Sequence, residues 1–279
     1  MAKGTPAVGA SASATPKAEC FVGMDTPLND IKAAAQKTIA ESGQVILLSG
    51  SPGSGKSHFS NHLQQAIPEL DWHYIDAKKR TALAQLISPL PVDKLPSEYQ
   101  TFIDWMSGNA FEPPPGLGPE EIIRGMVAAA QELLKVAASE KPIGLIFDDI
   151  DQADPRFRLI ANQLSSITKQ AKVLLLLNTR PLKNAPENTT IIQLPTLDMD
   201  ASKAIAEAYH VTVDEKITKL LSACGGIPSA IVQLCQAINE GSINPAEMDL
   251  NAQQGLKPVY EARLDSLLMH DQESMPVPH

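Results

Sequence analysis

An α/β fold, a parallel sheet sandwiched by helices and followed by a small all-α lid domain, is predicted by three observations. Short apolar runs alternate with helix-period segments from Val45 to Leu194, as expected of strands buried between two helix layers. The run at residues 45–48 passes at once into a glycine-rich loop and then a helix-period segment. From Asp198 onward the strand signal stops and only helical periodicity continues.

Residues 1–18 are small, polar and proline-containing, so a disordered tail is expected there. The core is read as residues 19–197. Its first helix follows Met24, with Asp25 or Thr26 to cap it, Pro27 in its first turn and Leu28, Ile31, Ala35 and Ile39 on its buried face. Gly43 ends it. The helix after the glycine loop carries Phe59, Leu63, Ala66 and Ile67 on one side. A strand at 72–75 and a short helix at 81–87 come next. Residues 88–118, proline-rich and holding Trp105, read as an insertion that makes a surface excursion.

A long helix at 120–138 turns Ile123, Met126, Val127, Ala130, Leu133 and Leu134 inward. The continuous apolar runs at 143–147 and 173–177 are strands buried on both faces. Between them Asp154-Pro155 opens a helix with Phe157, Ile160, Leu164 and Ile167 on one stripe. A last strand at 191–194 leads to the lid, 198–248, with helices at 201–209, 214–224 and 229–238. Residues 249–279 are read as a C-terminal tail with one short helix expected at 259–268.

Acidic residues outnumber basic ones by 32 to 23, a formal charge of −9, which argues against a broad nucleic-acid footprint. The cysteines, Cys20, Cys224 and Cys235, lack metal-ligand spacing and read as reduced thiols of a cytoplasmic protein. There is no run long and apolar enough for a membrane span and no export-signal core.

The glycine loop is Gly50-Ser51-Pro52-Gly53-Ser54-Gly55-Lys56-Ser57, the P-loop pattern of a nucleoside-triphosphate-binding fold. Its glycines permit backbone conformations that turn successive N–H groups onto an anion. Lys56 brings a full charge to the phosphates, and the Ser57 hydroxyl is a hard oxygen ligand for Mg²⁺. The following helix, His58 in its first turn, points its positive dipole end at them. A nucleoside triphosphate with Mg²⁺ is therefore the expected ligand, contacted from Gly50 to His58.

Hydrolysis also needs a metal anchor and an oriented water. Asp148, at the tip of an apolar strand taken to lie beside the P-loop strand, is the expected second anchor for Mg²⁺. Asp149 would orient the attacking water. At the neighbouring strand tip Asn178 or Thr179 could reach the γ-phosphate or the water, and Arg180 could compensate phosphate charge. Gly226-Ile227-Pro228 connects two lid helices, and Pro228 could pack on the nucleoside. His58 and His62 are four apart, but no third ligand accompanies them, so a structural or solvent-facing role is read for the pair.

FVGM before a helix, GSPGSGKS, LIFDDIDQAD, LLLLNTRPL, IIQLPTLDMD and CGGIPSAI resemble, in this order, the AAA-type ATPases of the STAND class. The resemblance spans about residues 20–240 and implies a P-loop NTPase core with a helical lid, ATP and Mg²⁺ as ligands, and switching between ADP-closed and ATP-open states. By position it implies phosphate and metal contacts for Lys56 and Ser57, metal for Asp148, water for Asp149, sensing for Arg180 and the nucleoside for Pro228. Met24 stands where the class usually has an arginine. The expectation is a truncated member, without winged-helix and repeat-sensor domains, whose effector is a protein partner or another copy of itself.

The leading reading is thus a slow Mg²⁺-dependent ATPase acting as a conformational switch on a protein partner or homo-oligomer. Two others stay open: an AAA-type helper in a DNA transaction such as transposition or replication loading, which net acidity disfavours, and a non-hydrolysing ATP-regulated binding module. Arg156 and Arg158 are candidates, on charge alone, for an arginine acting in trans.

Overall fold

The computed structural model describes residues 21–110, 112–181 and 189–245. The tail at 1–18, Cys20 and the helix expected at 259–268 lie outside the described residues. The chain divides into two compact units, one of residues 24–195 and one of residues 1–23 with 196–279.

The larger unit opens with α1 (Asp25–Ala40), whose buried residues are Pro27, Ile31, Ala35 and Thr38. No side chain caps it: Asp25 is the first helical residue rather than the cap, where its charge still favours the dipole. Then come β1 (Gln44–Ser49), α2 (Lys56–Ala66), β2 (Asp71–Asp76) and α3 (Ala82–Ile87). The proline-rich stretch forms two 3-10 turns and α4 (Gln100–Ser107). Leu90, Leu95, Ile103 and Met106 from it join the main hydrophobic core, so the excursion is stitched to the unit by apolar burial. Phe102 lies where a Cβ on Gly125 would stand, so that glycine lets α4 approach the next helix, α5 (Pro119–Glu140). Pro119 starts α5, and the Glu121 carboxylate accepts from Gly118 N–H at 2.7 Å.

The remaining elements are β3 (Ile143–Asp148), α6 (Pro155–Leu164), β4 (Val173–Thr179) and β5 (Thr190–Gln193). Asp154 caps α6 by accepting from Arg156 N–H at 2.8 Å. The sheet is parallel throughout, in the order β2-β3-β4-β1-β5. β3 and β4 are buried along their whole length, which is why they read as unbroken apolar runs. The sheet corrects one expectation: β3 does not lie beside β1, because β4 stands between them. The register still levels the strand tips, pairing Asp76 with Asp148, Phe147 with Leu177 and Ser49 with Thr179. Polar residues that end separate apolar runs therefore converge on one edge, where ligands of open parallel sheets bind.

The smaller unit holds α7 (Met199–Ala208), α8 (Glu215–Ala223) and α9 (Pro228–Asn239). Asp198 and Asp214 cap the first two through Ala201 N–H and Ile217 N–H. Gly225 and Gly226 take positive φ, and Gly226 accepts from Leu197 N–H at 2.8 Å. Cys224 and Cys235 are free and buried; burial pushes their thiols up to about 12 and about 11, so both are inert core groups.

Candidate functional site

The loop between β1 and α2 folds as its glycines require. Gly53 and Gly55 have φ of 78° and 89°, the left-handed region in which a Cβ is costly. Lys56 is 7% exposed and donates through Nζ to the carbonyls of Gly50 at 2.8 Å and Ser51 at 3.2 Å. Burial lowers its pKa, and the carboxylates of Asp149, Asp148 and Asp151 oppose that shift. The first α2 turn is a helix start with N–H groups lacking intrahelical partners. Ser54, 5% exposed, has no hydrogen-bond partner for Oγ. Pro52, Ser57 and His58 are exposed.

Across the sheet edge, Ser57 Oγ donates to Asp148 Oδ2 at 2.6 Å. Tyr74 OH donates to the same oxygen. Asn178 Nδ2 donates to Asp148 Oδ1 and to Ser60 Oγ, both at 2.8 Å. β4, the strand that separates β1 from β3, thus supplies the amide that holds the acidic tip from the side. Asp148 is 5% exposed; burial alone would raise its pKa. The donors Ser57, Tyr74 and Asn178 and the Asp149 N–H outweigh it and hold the carboxyl below its ordinary value. Burial and the adjacent Asp148 carboxylate push the Tyr74 phenol up, so it stays a donor. Asn178 is fully buried with Oδ1 unpartnered.

Asp149 is set differently. It takes φ 52°, ψ 41°, unusual for a residue with a Cβ, and its Oδ2 lies 2.6 Å from Lys78 Nζ. The hydrogen bond to Asp149 raises the Lys78 pKa. Arg180 reaches Asp151 through Nε at 2.5 Å. Pro228 begins α9 in the other unit.

The structure therefore brings Ser57, Asp148 and Asn178 into direct hydrogen-bonded contact, with Asp149 next along the chain. Tyr74 and Ser60 belong to the same network, while Lys78 pairs with Asp149 and Asp151 with Arg180; none of the four was read from the sequence. Ser60 had a signal: it lies three residues past Ser57, on the same helix face. Tyr74 had none until strand pairing was known.

A family model described as the AAA ATPase domain matches residues 21–177, more than half of the chain. The chain belongs to the AAA ATPase domain family. The chain is similar to solved structures of other proteins, including these two. C. elegans PCH-2 is 13% identical, with a TM-score of 0.46 over 88% of this chain and 69% of that one. A structure titled for katanin self-assembly is 16% identical, with a TM-score of 0.49 over 87% and 77% of the respective chains. No curated protein matches significantly. The family carries nucleotide-driven ATPase activity, and no described helix of this AAA protein is long and apolar enough to cross a membrane.

Proposed function

We propose that this AAA protein is a Mg²⁺-dependent ATPase that works as a nucleotide-driven conformational switch on a protein partner or on its own assembly. One observation carries the reading: the P-loop hydroxyl of Ser57 and the strand-tip carboxylate of Asp148 meet at 2.6 Å. Residues 91 positions apart are brought together at the positive end of a helix, beside a buried lysine.

The residues fit ATP and Mg²⁺. Lys56 would exchange its carbonyl partners for phosphate oxygens, and the loop and first-turn N–H groups would donate to the anion. Ser57 and an ionised Asp148 are the hard oxygen donors that Mg²⁺ takes. Among the described residues no cluster of three or more His, Cys, Asp or Glu exists to hold a metal; a site of one hydroxyl and one carboxylate suits an ion that keeps waters and phosphates as its other ligands. Ser57 and Asp148 would hold the ion, and the chemistry it would supply there is neutralisation of phosphoryl charge.

Asp149 is the residue for the water. Its pairing with Lys78 must open for turnover, a modest brake on basal hydrolysis. Asn178 positions Asp148 and offers its free Oδ1 as an acceptor to the attacking water, Arg180 leaves Asp151 to sense phosphate, and the STAND resemblance assigns Pro228 to the nucleoside. DDIDQAD, NTRP and GIP support placement in the STAND class, and the buried free thiols suit a cytoplasmic setting.

Lys56→Ala is expected to abolish ATP binding in calorimetry. Asp149→Ala should retain binding and lose phosphate release by on the order of 10²-fold or more. Tight ATP binding by the first variant, or undiminished turnover by the second, would overturn the assignment.

A further inference from the structure

A second opening on the larger unit, of about 510 Å³, is not used by the proposed ATPase chemistry. It lies where the chain leaving β2 meets α3, α4 and the first turns of α5 and α6. Leu83, Trp105 and Ile123, each half-buried, line it with Met126, Phe157 and Ile160. Its mouth is cationic: Lys78, Lys79 and Arg80 follow β2, and Arg156 opens α6.

The one carboxylate among the lining residues, Asp154, is committed to capping α6. Lys78 pairs with Asp149, and Lys79 lies 3.6 Å from Asp76. Arg80 and Arg156 form no ion pair among the described residues. In a chain of net charge −9, Arg80 and Arg156 stand beside this apolar hollow as cations that no carboxylate among the described residues pairs. Both are exposed and stand on separate elements, so they suit carboxylates flanking an apolar anchor more than one charged head group on a small molecule.

We propose that this cavity docks an acidic segment of a partner protein, an apolar side chain entering the hollow while carboxylates on either side of it meet Arg80 and Arg156. The inference rests on the switch reading for its purpose, since it names the chemistry of the partner; the binding itself does not depend on turnover. Lys78 belongs to both sites, and a carboxylate arriving at the mouth competes with Asp149 for it.

The probe is a fluorescein-labelled helical peptide of about 14 residues, Phe and Leu at one-turn spacing between Glu residues, titrated into the full chain and followed by anisotropy. Saturable binding with a Kd of roughly tens of micromolar is expected. It should weaken roughly tenfold or more in Arg80→Glu/Arg156→Glu and for the same peptide with Lys in place of Glu. Leu83→Gln, on the apolar side, should weaken it as well, with circular dichroism checking that each variant is folded. Absence of saturable binding, equal binding of the Lys peptide, or binding untouched by the arginine changes each overturns the proposal. So does displacement of the peptide by decanoate at lower concentration, which assigns the hollow to a small amphiphile. Self-association of the chain, lost in Arg156→Glu on size-exclusion chromatography, assigns the face to a second copy. Phosphate release measured in parallel separates the readings: binding without turnover sinks the ATPase switch alone, and turnover without binding sinks the docking site alone.

Discussion

Asp148 and Asp149 are adjacent in the chain and opposite in construction. Asp148 sits at 5% exposure under neutral donors from three elements, Tyr74 on β2, Ser57 on α2 and Asn178 on β4. Asp149 has left the strand, takes a positive φ and meets a lysine whose side chain is half-exposed. Neutral donors around a buried carboxylate fix it in place and keep it ionised, because that carboxylate is costly to leave unsatisfied. An exposed ion pair is worth little and exchanges readily. The pair of aspartates thus divides the site into a side that should not move, suited to anchoring a metal, and a side that must, suited to gated chemistry.

The sharpest way to break this contrast is at Asn178. Asn178→Ala strips a donor from both Asp148 and Ser60 in a fully buried place, and should destabilise the chain by about 1–3 kcal/mol for the groups left unsatisfied. Urea denaturation reads this directly. A loss under ~0.5 kcal/mol would mean that the buried side is no more demanding than the surface.

Lys78→Met tests the other side, with a smaller effect. Stability should change by less than ~1 kcal/mol, as for exposed pairs in general. Basal phosphate release should rise, by no more than about fivefold, the rate equivalent of freeing Asp149 from a pair worth ~1 kcal/mol. A fall in turnover would show that Lys78 assists Asp149 rather than restraining it.

The fixed side was also the more legible one in the sequence. An unbroken apolar run ending in Asp, and a glycine loop ending in Lys-Ser, are local signals that survive folding unchanged; they give Ser57 and Asp148 without any knowledge of pairing. What brings them together is not local. The position of β4 between β1 and β3 is a choice of strand order, which periodicity does not encode. Tyr74 becomes a site residue only because β2 pairs with β3 in the register that sets it against Ile146 and Asp76 against Asp148. The same holds for α4, hidden among prolines: Ile103 and Met106 tie it to the core, and Phe102 rests where Gly125 lacks a Cβ, a contact between segments 23 residues apart.

Tyr74→Phe sharpens the comparison with the smallest change, one hydroxyl. It removes one of two donors to Asp148 Oδ2, so the Asp148 pKa, now held below its ordinary value, should rise. The folded-state pKa is depressed, so the stability it contributes is present above the unfolded value of about 3.9 and is lost as pH falls through the folded one. The variant has a smaller depression, and its deficit should be full at neutral pH, shrink as pH falls below about 4, and vanish once both proteins carry a protonated Asp148. Carboxyl-detected NMR titration and acid denaturation followed by circular dichroism check the two halves separately. A deficit that stays constant down to acid pH would assign Tyr74 to packing alone and leave Ser57 and Asn178 as the groups that keep the strand tip charged.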